Sequence, residues 1–186
     1  MFGTYRSGDV TLLLKDISGL VEPLGTRERE IKIQSGVHYS EMLPIEYVPS
    51  PAYLAAYHDA LARYAGMTAA AVASVSEQIW RDKGEHAVLV SLARAGTPIG
   101  VLIKKYIRFR YGVEMEHYTV SIIRGRGIDR SAMDYILERH RPETLQFVDG
   151  WTGKGAIQNE LNRAMEDYPG VAPGLAVLSD PGRLAG

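Results

Sequence analysis

Four short apolar runs in the second half of the chain restrict its fold more than any other feature. They are HAVLVSL, HYTVSII, TLQFVDG and GLAVLSD, and segments of helical character separate them. Buried parallel strands are continuously apolar, and a helix that crosses one face of the sheet joins each strand to the next. The alternation from His86 onward therefore predicts an α/β fold with a mainly parallel sheet flanked by helices.

The first half of the chain shows no such alternation. VTLLLKDI is interpreted as a strand, and LGTREREIKIQSG as a charged strand or hairpin. Prolines interrupt HYSEMLPIEYVPSP, so an ordered loop is expected there. Apolar spacing predicts two helices that cover the sheet, from about Ser50 to Tyr64 and from about Thr68 to Arg81. We expect one N-terminal region, 1–84, and an α/β core, 85–186.

Composition excludes several classes of function. The chain has 22 acidic and 21 basic residues, so it lacks the positive field of a dedicated nucleic-acid binder. It has no cysteine, which rules out disulfides, thiolate ligands and a cysteine nucleophile within these residues. The N-terminus has no signal pattern, and no apolar stretch reaches the roughly 20 residues that span a bilayer. We expect a soluble, cytoplasmic protein whose anion sites are local.

Ligands of parallel α/β sheets bind in the loops at the carboxyl ends of the strands. The first such loop is LARAGTPIG, where Ala95, Gly96 and Thr97 precede a helix expected near Pro98. Small residues let backbone amides approach an anion, and Arg94 adds charge. An ordinary turn with a surface arginine explains the same pattern equally well.

The second loop, RGRGIDRS, alternates Arg124, Arg126 and Arg130 with two glycines. A flexible lid over an anionic substrate is one interpretation, and a solvated basic turn is the other. For a lid we expect poor order from about Arg124 to Ser131 without ligand, because the segment has little to pack against.

The third loop lies in FVDGWTGKGAI, where Asp149 ends a strand and a small-residue turn precedes a helix. Asp149 can accept hydrogen bonds from sugar hydroxyls, and the backbone of 152–155 can surround a monophosphate. A nucleotide P-loop is rejected, because Val148 replaces its first glycine and Gly155 replaces the Ser or Thr that binds magnesium. The five histidines show no metal-ligand spacing either.

In this order, the three loops resemble the pattern of type I phosphoribosyltransferases. The match in FVDGWTGKGA runs through Asp149, Thr152, Gly153 and Gly155, whereas Gly150 replaces the usual second acid. The longer segments GVHYSEMLPIEYVPSPAYL, SIIRGRGID and FVDGWTGKGAI are similar to a narrower group, the phosphoribosyltransferase-like proteins of tellurite-resistance and stress-response gene clusters. Some of its members carry the label StiP cysteine protease, an activity that this cysteine-free chain could have only through a missing C-terminal part.

The resemblance implies an enzyme that transfers a phosphoribosyl group from phosphoribosyl pyrophosphate (PRPP) to a nitrogenous base or related acceptor. The reaction would release pyrophosphate in a stress pathway that makes a nucleoside-like metabolite. The implied roles are catalysis by Asp149, Arg124 and Arg126, ribose 5-phosphate binding by Thr152, Gly153, Lys154 and Gly155, and pyrophosphate binding by Arg94, Ala95 and Gly96.

The resemblance also sets expectations for cofactors, partners and domains. Mg²⁺ would be bound mainly through PRPP, with no metal ligands from the protein. PRPP and a base-like acceptor would be the partners, without a membrane or nucleic acid, and the sequence allows a homodimer. Region 1–84 would form a hood-like region, with His38, Tyr39 and Glu41 as candidates for base binding. The alternative function is a non-catalytic PRPP- or nucleotide-binding module of a larger protein or complex.

Overall fold

The computed structural model describes residues 3–17 and 19–184, which form two compact units. One contains the described residues up to Leu14 and those from Gly66 onward, and the other lies within Lys15–Ala65. In chain order the elements are β1 (Thr11–Leu12), β2 (Pro23–Leu24), α1 (Thr26–Gln34), β3 (Leu43–Pro44), α2 (Pro51–Lys83), β4 (Val88–Leu92), α3 (Gly96–Tyr111), β5 (Glu116–Val120), β6 (Ile122–Ile123), β7 (Gly127–Ile128), α4 (Arg130–Leu137), β8 (Leu145–Val148), α5 (Ala156–Met165) and β9 (Leu175–Ala176).

A five-stranded sheet in the order β1-β5-β4-β8-β9 forms the centre of the larger unit. Each of its strand pairs is parallel, and Val90 of β4 lies in register with Tyr118 of β5 and Phe147 of β8. The four apolar runs contain β4, β5, β8 and β9, so the predicted parallel α/β sheet is confirmed. VTLLLKDI contributes the edge strand β1.

Helices cover both faces of this sheet. Alternate side chains of β4 point to opposite faces, and every residue of the strand is buried. Val90 and Leu92 pack in a cluster with residues of α4 and α5, while Leu89 packs with residues of α2 and α3. Burial on both faces explains why these strands lack the polar alternation of a half-exposed sheet.

Two predictions about the first half of the chain are wrong. The segment TREREIKIQ forms the helix α1 rather than a strand or hairpin, because Arg, Glu, Lys and Gln favour helices. The Glu28 carboxylate accepts a hydrogen bond from the Gly25 amide at 3.3 Å at the start of this helix. The two helices predicted around residue 66 are one continuous helix, α2, because Gly66 weakens a helix by only about 1 kcal/mol and does not break it as proline would.

The smaller unit contains α1 and a parallel pair of two-residue strands, β2 and β3. The proline-containing loop expected before α2 includes β3 and a 3₁₀ turn at Tyr39–Glu41. A hood-like role for the N-terminal region and a domain boundary at residue 84 stay predictions. In the described part of the chain, no helix is long and apolar enough to cross a bilayer.

Candidate functional site

The loops that follow β4 and β8 pack against each other at the carboxyl edge of the sheet. Gly96 has no room for a side chain, because a Cβ atom there would lie 2.2 Å from the carbonyl oxygen of Val148. The start of α3 can therefore pack directly on the end of β8. A Cβ atom at Gly150 would lie 3.5 Å from the Cβ of Ala95, which brings the two loops into ordinary contact.

Backbone hydrogen bonds hold the turn after β8 against the segment after β9. The Asp149 amide donates to the carbonyl of Ala176, the Leu178 amide to that of Gly150, and the Thr152 amide to that of Ser179, at 3.0–3.2 Å. These bonds continue the parallel pairing of the two strands beyond their ends. The turn is consequently fixed by the backbone rather than by its side chains.

The turn ends at Gly155, the N-cap of α5, with φ of 74°. Glycine adopts this left-handed conformation without the penalty that other residues incur. It also provides no side chain to cap the helix, so the amides of the first turn of α5 have no partner within the helix. Helix starts of this kind attract anions.

A cavity of about 260 Å³ lies at this turn. It combines apolar walls with a carboxyl, a hydroxyl and an ammonium group, and is lined by Ala95, Asp149, Trp151, Thr152, Gly153, Lys154, Gly155, Ala156, Ile157 and Leu175. Pockets for drug-sized ligands begin at roughly 300 Å³. The volume therefore suits a small ligand.

Thr152 has a buried hydroxyl without a partner in this cavity lining. The residue is 6% exposed, and within the described residues its Oγ1 makes no hydrogen bond. Leaving a buried hydroxyl unsatisfied costs about 1–3 kcal/mol. A ligand that bonds to this hydroxyl would recover that free energy.

Asp149 contributes a half-buried carboxyl group to the same cavity. Burial raises the pKa of this carboxyl group, and a hydrogen bond that its Oδ1 accepts from the Gly150 amide at 2.7 Å acts in the opposite direction. Burial is the larger cause, because a desolvated carboxylate is less stable than a hydrated one. The group is suited to hydrogen-bond donors on a ligand.

Six of the ten residues predicted from the sequence line the cavity, and four do not. The cavity is lined by Ala95, Asp149, Thr152, Gly153, Lys154 and Gly155, but not by Arg94, Gly96, Arg124 or Arg126. Arg94 is exposed beside Ala95, and Gly96 is buried against β8. The individual binding and catalytic roles of all ten residues stay predictions.

The arginine-rich segment forms a hairpin instead of a loop without contacts. β6 and β7 pair antiparallel, and the amide of Gly125 in the turn donates to Oε2 of Glu160 in α5 at 2.8 Å. Arg126 lines a second cavity, of about 280 Å³, beside α5.

Further contacts hold the residues after this hairpin. Asp129 caps α4 by accepting from the Ala132 amide at 3.1 Å, and Arg130 forms an ion pair with Asp167. The expectation that 124–131 has little to pack against is therefore wrong. Its partners on and after α5 are distant in sequence, so the local pattern gave no indication of them.

Sequence reasoning also missed a buried pair, Ser91 and His117. His117 is 1% exposed in β5. Its Nε2 lies 2.7 Å from the Ser91 hydroxyl, and its Nδ1 lies 3.0 Å from the carbonyl oxygen of Asp9. A carbonyl only accepts, so Nδ1 carries the proton and Nε2 accepts from Ser91. The sequence did indicate burial of His117, because this residue lies in the apolar run HYTVSII.

This serine–histidine pair is closed to a substrate. Burial lowers the pKa of His117 to about 4. A Cβ atom at Gly100 of α3 would lie 2.3 Å from both His117 Nε2 and the Ser91 hydroxyl, so the helix backbone packs directly over the pair. The two side chains therefore stabilise the contact between the sheet and α3.

Within residues 3–17 and 19–184, no cluster of three or more His, Asp or Glu side chains is placed to hold a metal ion. The magnesium ion that would be bound through PRPP, the homodimer and the cytoplasmic location stay predictions.

Known proteins provide independent information about this chain. A family described as the tellurite-like stress resistance cysteine protease StiP matches residues 3–186. The chain is 41% identical over 182 residues to the "Cysteine protease StiP" of Acinetobacter baylyi, an alignment that covers 96% of this chain and 47% of that protein. The chain thus spans about half the length of the curated relative that it matches.

A solved structure shows a weaker similarity. The xanthine-guanine-hypoxanthine phosphoribosyltransferase of Helicobacter pylori is 15% identical, with a TM-score of 0.40 over 61% of this chain and 70% of that one. A TM-score this low supports no conclusion about a common fold or function. The phosphoribosyltransferase type of the fold stays a prediction.

These comparisons contradict the predicted reaction. The family and the relative are named as cysteine proteases, which conflicts with phosphoribosyl transfer from PRPP and with a glycosyltransferase class. The alternative, a PRPP- or nucleotide-binding module, fits these names no better. The predicted link to tellurite and stress resistance is confirmed, since the match extends over nearly the whole chain. The chain therefore belongs to the family of the tellurite-like stress resistance cysteine protease StiP.

Proposed function

We propose that this chain acts in a StiP-type cysteine protease as the part that binds a small anionic ligand. Family membership supports the protease context. The chain contains no cysteine, so the nucleophilic thiolate would come from outside these 186 residues. The role of the chain itself would then be binding rather than peptide hydrolysis.

The unpartnered hydroxyl of Thr152 is the observation that carries the binding role. Thr152 lines a cavity together with the first residues of α5, and its Oγ1 is buried without a hydrogen-bond partner among the described residues. An oxyanion would accept hydrogen bonds from the hydroxyl and from the free amides of the helix start at the same time. The exposed Lys154 would add a positive charge beside them.

Asp149 narrows the class of ligand. Its carboxyl group lines the same cavity and would repel a second anionic group, whereas hydroxyl or amine groups would donate to it. The ligand that fits this lining is a small molecule with one anionic group and neighbouring hydrogen-bond donors. We use inorganic phosphate as the simplest probe of the anionic part.

The binding role is tested by titrating inorganic phosphate into the Thr152→Val variant in a calorimeter. Valine keeps the shape and removes the hydroxyl, so we expect binding to weaken about tenfold or more, since a charge-assisted hydrogen bond contributes about 1.5–3 kcal/mol. Thermal stability should stay equal or rise, because an unsatisfied buried hydroxyl is removed.

Thr119→Val is the matched control. Thr119 is also buried, but its hydroxyl donates to the hydroxyl of Thr97 at 3.0 Å. This control should lose thermal stability and keep its phosphate affinity. Unchanged phosphate affinity in Thr152→Val, or no binding by the parent protein, would contradict the binding role.

The protease context is tested with a chimera in which this chain replaces the matching region of the Acinetobacter baylyi relative. We expect the chimera to hydrolyse a peptide substrate and to lose this activity with iodoacetamide, which alkylates cysteine. This chain alone should show no activity. Peptide hydrolysis by this chain alone, or a folded but inactive chimera beside an active relative, would refute the proposal.

A further inference from the structure

Trp151 presents a large, exposed aromatic ring at the cavity beside Thr152. The residue is 61% exposed although its backbone is fixed by a parallel bridge to Ser179. A Cβ atom at Gly153 would lie 3.0 Å from Cζ3 and 3.2 Å from Cη2 of the indole. The six-membered end of the ring therefore lies close over the turn that lines the cavity.

The other tryptophan of the chain differs from Trp151, because it has an aromatic partner. Trp80 stacks on Tyr111, with ring centroids 4.0 Å apart and ring planes 10° apart. In the described part of the chain, no aromatic ring makes such a contact with Trp151. An exposed indole at a cavity offers a flat apolar surface to a ligand.

The rest of the lining supports an apolar contact at this position. Ala95, Ile157 and Leu175 contribute apolar surface to the same cavity of about 260 Å³. This volume accommodates a ligand with a single ring better than a larger molecule. Thr152 and Lys154 line the same cavity and would bind an attached anionic group.

We propose that the indole of Trp151 stacks on a planar ring of the ligand, and that the cavity selects small aromatic molecules that carry an anionic group. This inference rests on the proposed anion binding at Thr152. The anionic group binds at the start of α5, and the ring packs between Trp151 and the apolar wall. Trp151 thus selects anions that carry an aromatic ring, whereas Thr152 binds the anionic group itself.

Calorimetry with three phosphate compounds tests this selectivity. The probes are inorganic phosphate, cyclohexyl phosphate and phenyl phosphate, of which the last two carry rings of similar size but different shape. We expect phenyl phosphate to bind about three- to tenfold more tightly than cyclohexyl phosphate, the range typical of aromatic contacts. Trp151→Leu should remove this preference, and Trp151→Phe should keep part of it.

Tryptophan fluorescence provides a second measurement on the same proteins. Phenyl phosphate should quench the emission of the parent protein and leave that of Trp151→Leu unchanged, because only Trp80 remains in the variant. Equal affinity for the phenyl and cyclohexyl compounds, with phosphate still bound, would overturn the role of Trp151 alone. Absence of binding by all three compounds would overturn the anion site as well.

Discussion

At the scale of single residues, His117 makes the stability of the folded protein depend on pH. Its folded-state pKa of about 4 lies below the value near 6.5 of an exposed histidine, because burial disfavours the charged imidazolium. Between these values the unfolded chain binds a proton that the folded protein does not. The free energy of unfolding is therefore highest above about pH 6.5. It falls by on the order of 3 kcal/mol as the pH falls toward 4.

The variant His117→Gln should reduce this dependence on pH. We expect its free energy of unfolding, measured with urea at several pH values, to change less between pH 6.5 and pH 4.5 than that of the parent. It should also be less stable than the parent at pH 7, because the bonds to Ser91 and Asp9 are disturbed. His86→Gln, at an exposed histidine, serves as the control. An identical pH slope in His117→Gln would exclude His117 as the cause.

At the scale of elements, α5 connects the candidate site to the arginine-rich hairpin. Its first residues line the cavity at Thr152, and its Glu160 is buried and binds the turn of the hairpin. One helix of ten residues therefore contacts both structures. The hydrogen bond from the Gly125 amide to Glu160 holds the turn of the hairpin to α5, while Ile122 and Ile128 pack in the core.

Replacement of Glu160 by alanine should release this turn. We expect amide hydrogen exchange in 124–128 to become about tenfold faster, because the lost bond to a charged acceptor is worth at least 1.4 kcal/mol. Exchange in β5 should stay unchanged. Glu166→Ala, at an exposed residue just after α5, should leave the hairpin as it is. Equal exchange rates in 124–128 of the parent and Glu160→Ala would show that other contacts hold the turn.

The same elements show what the sequence could predict and why. Strands β4, β5, β8 and β9 were predictable, because burial on both faces requires continuous apolar runs. The segment TREREIKIQ was ambiguous, since its alternating charges fit a strand as well as a helix. The hairpin contact was not predictable, because Gly125 and Glu160 are 35 residues apart. In the site, the Thr-Gly-Lys-Gly turn was recognisable, but the unsatisfied hydroxyl of Thr152 results from packing alone.

At the scale of the whole molecule, the sheet was predicted correctly and the reaction was not. The loops at the carboxyl edge of a parallel sheet share their geometry across proteins of unrelated chemistry, so a similar turn at 152–155 did not determine the activity. The family match extends over residues 3–186 and outweighs that local likeness. The absence of cysteine excludes a cysteine nucleophile within these 186 residues, whatever the local likeness.

The backbone bonds that fix the turn after β8 also have a consequence for synthesis on the ribosome. The amide of Thr152 needs the carbonyl of Ser179, and the carbonyl of Gly150 needs the amide of Leu178. Until residue 179 has left the exit tunnel, the nascent chain lacks the partners that hold this turn. The cavity is consequently completed only after the β4–β5 pair has emerged.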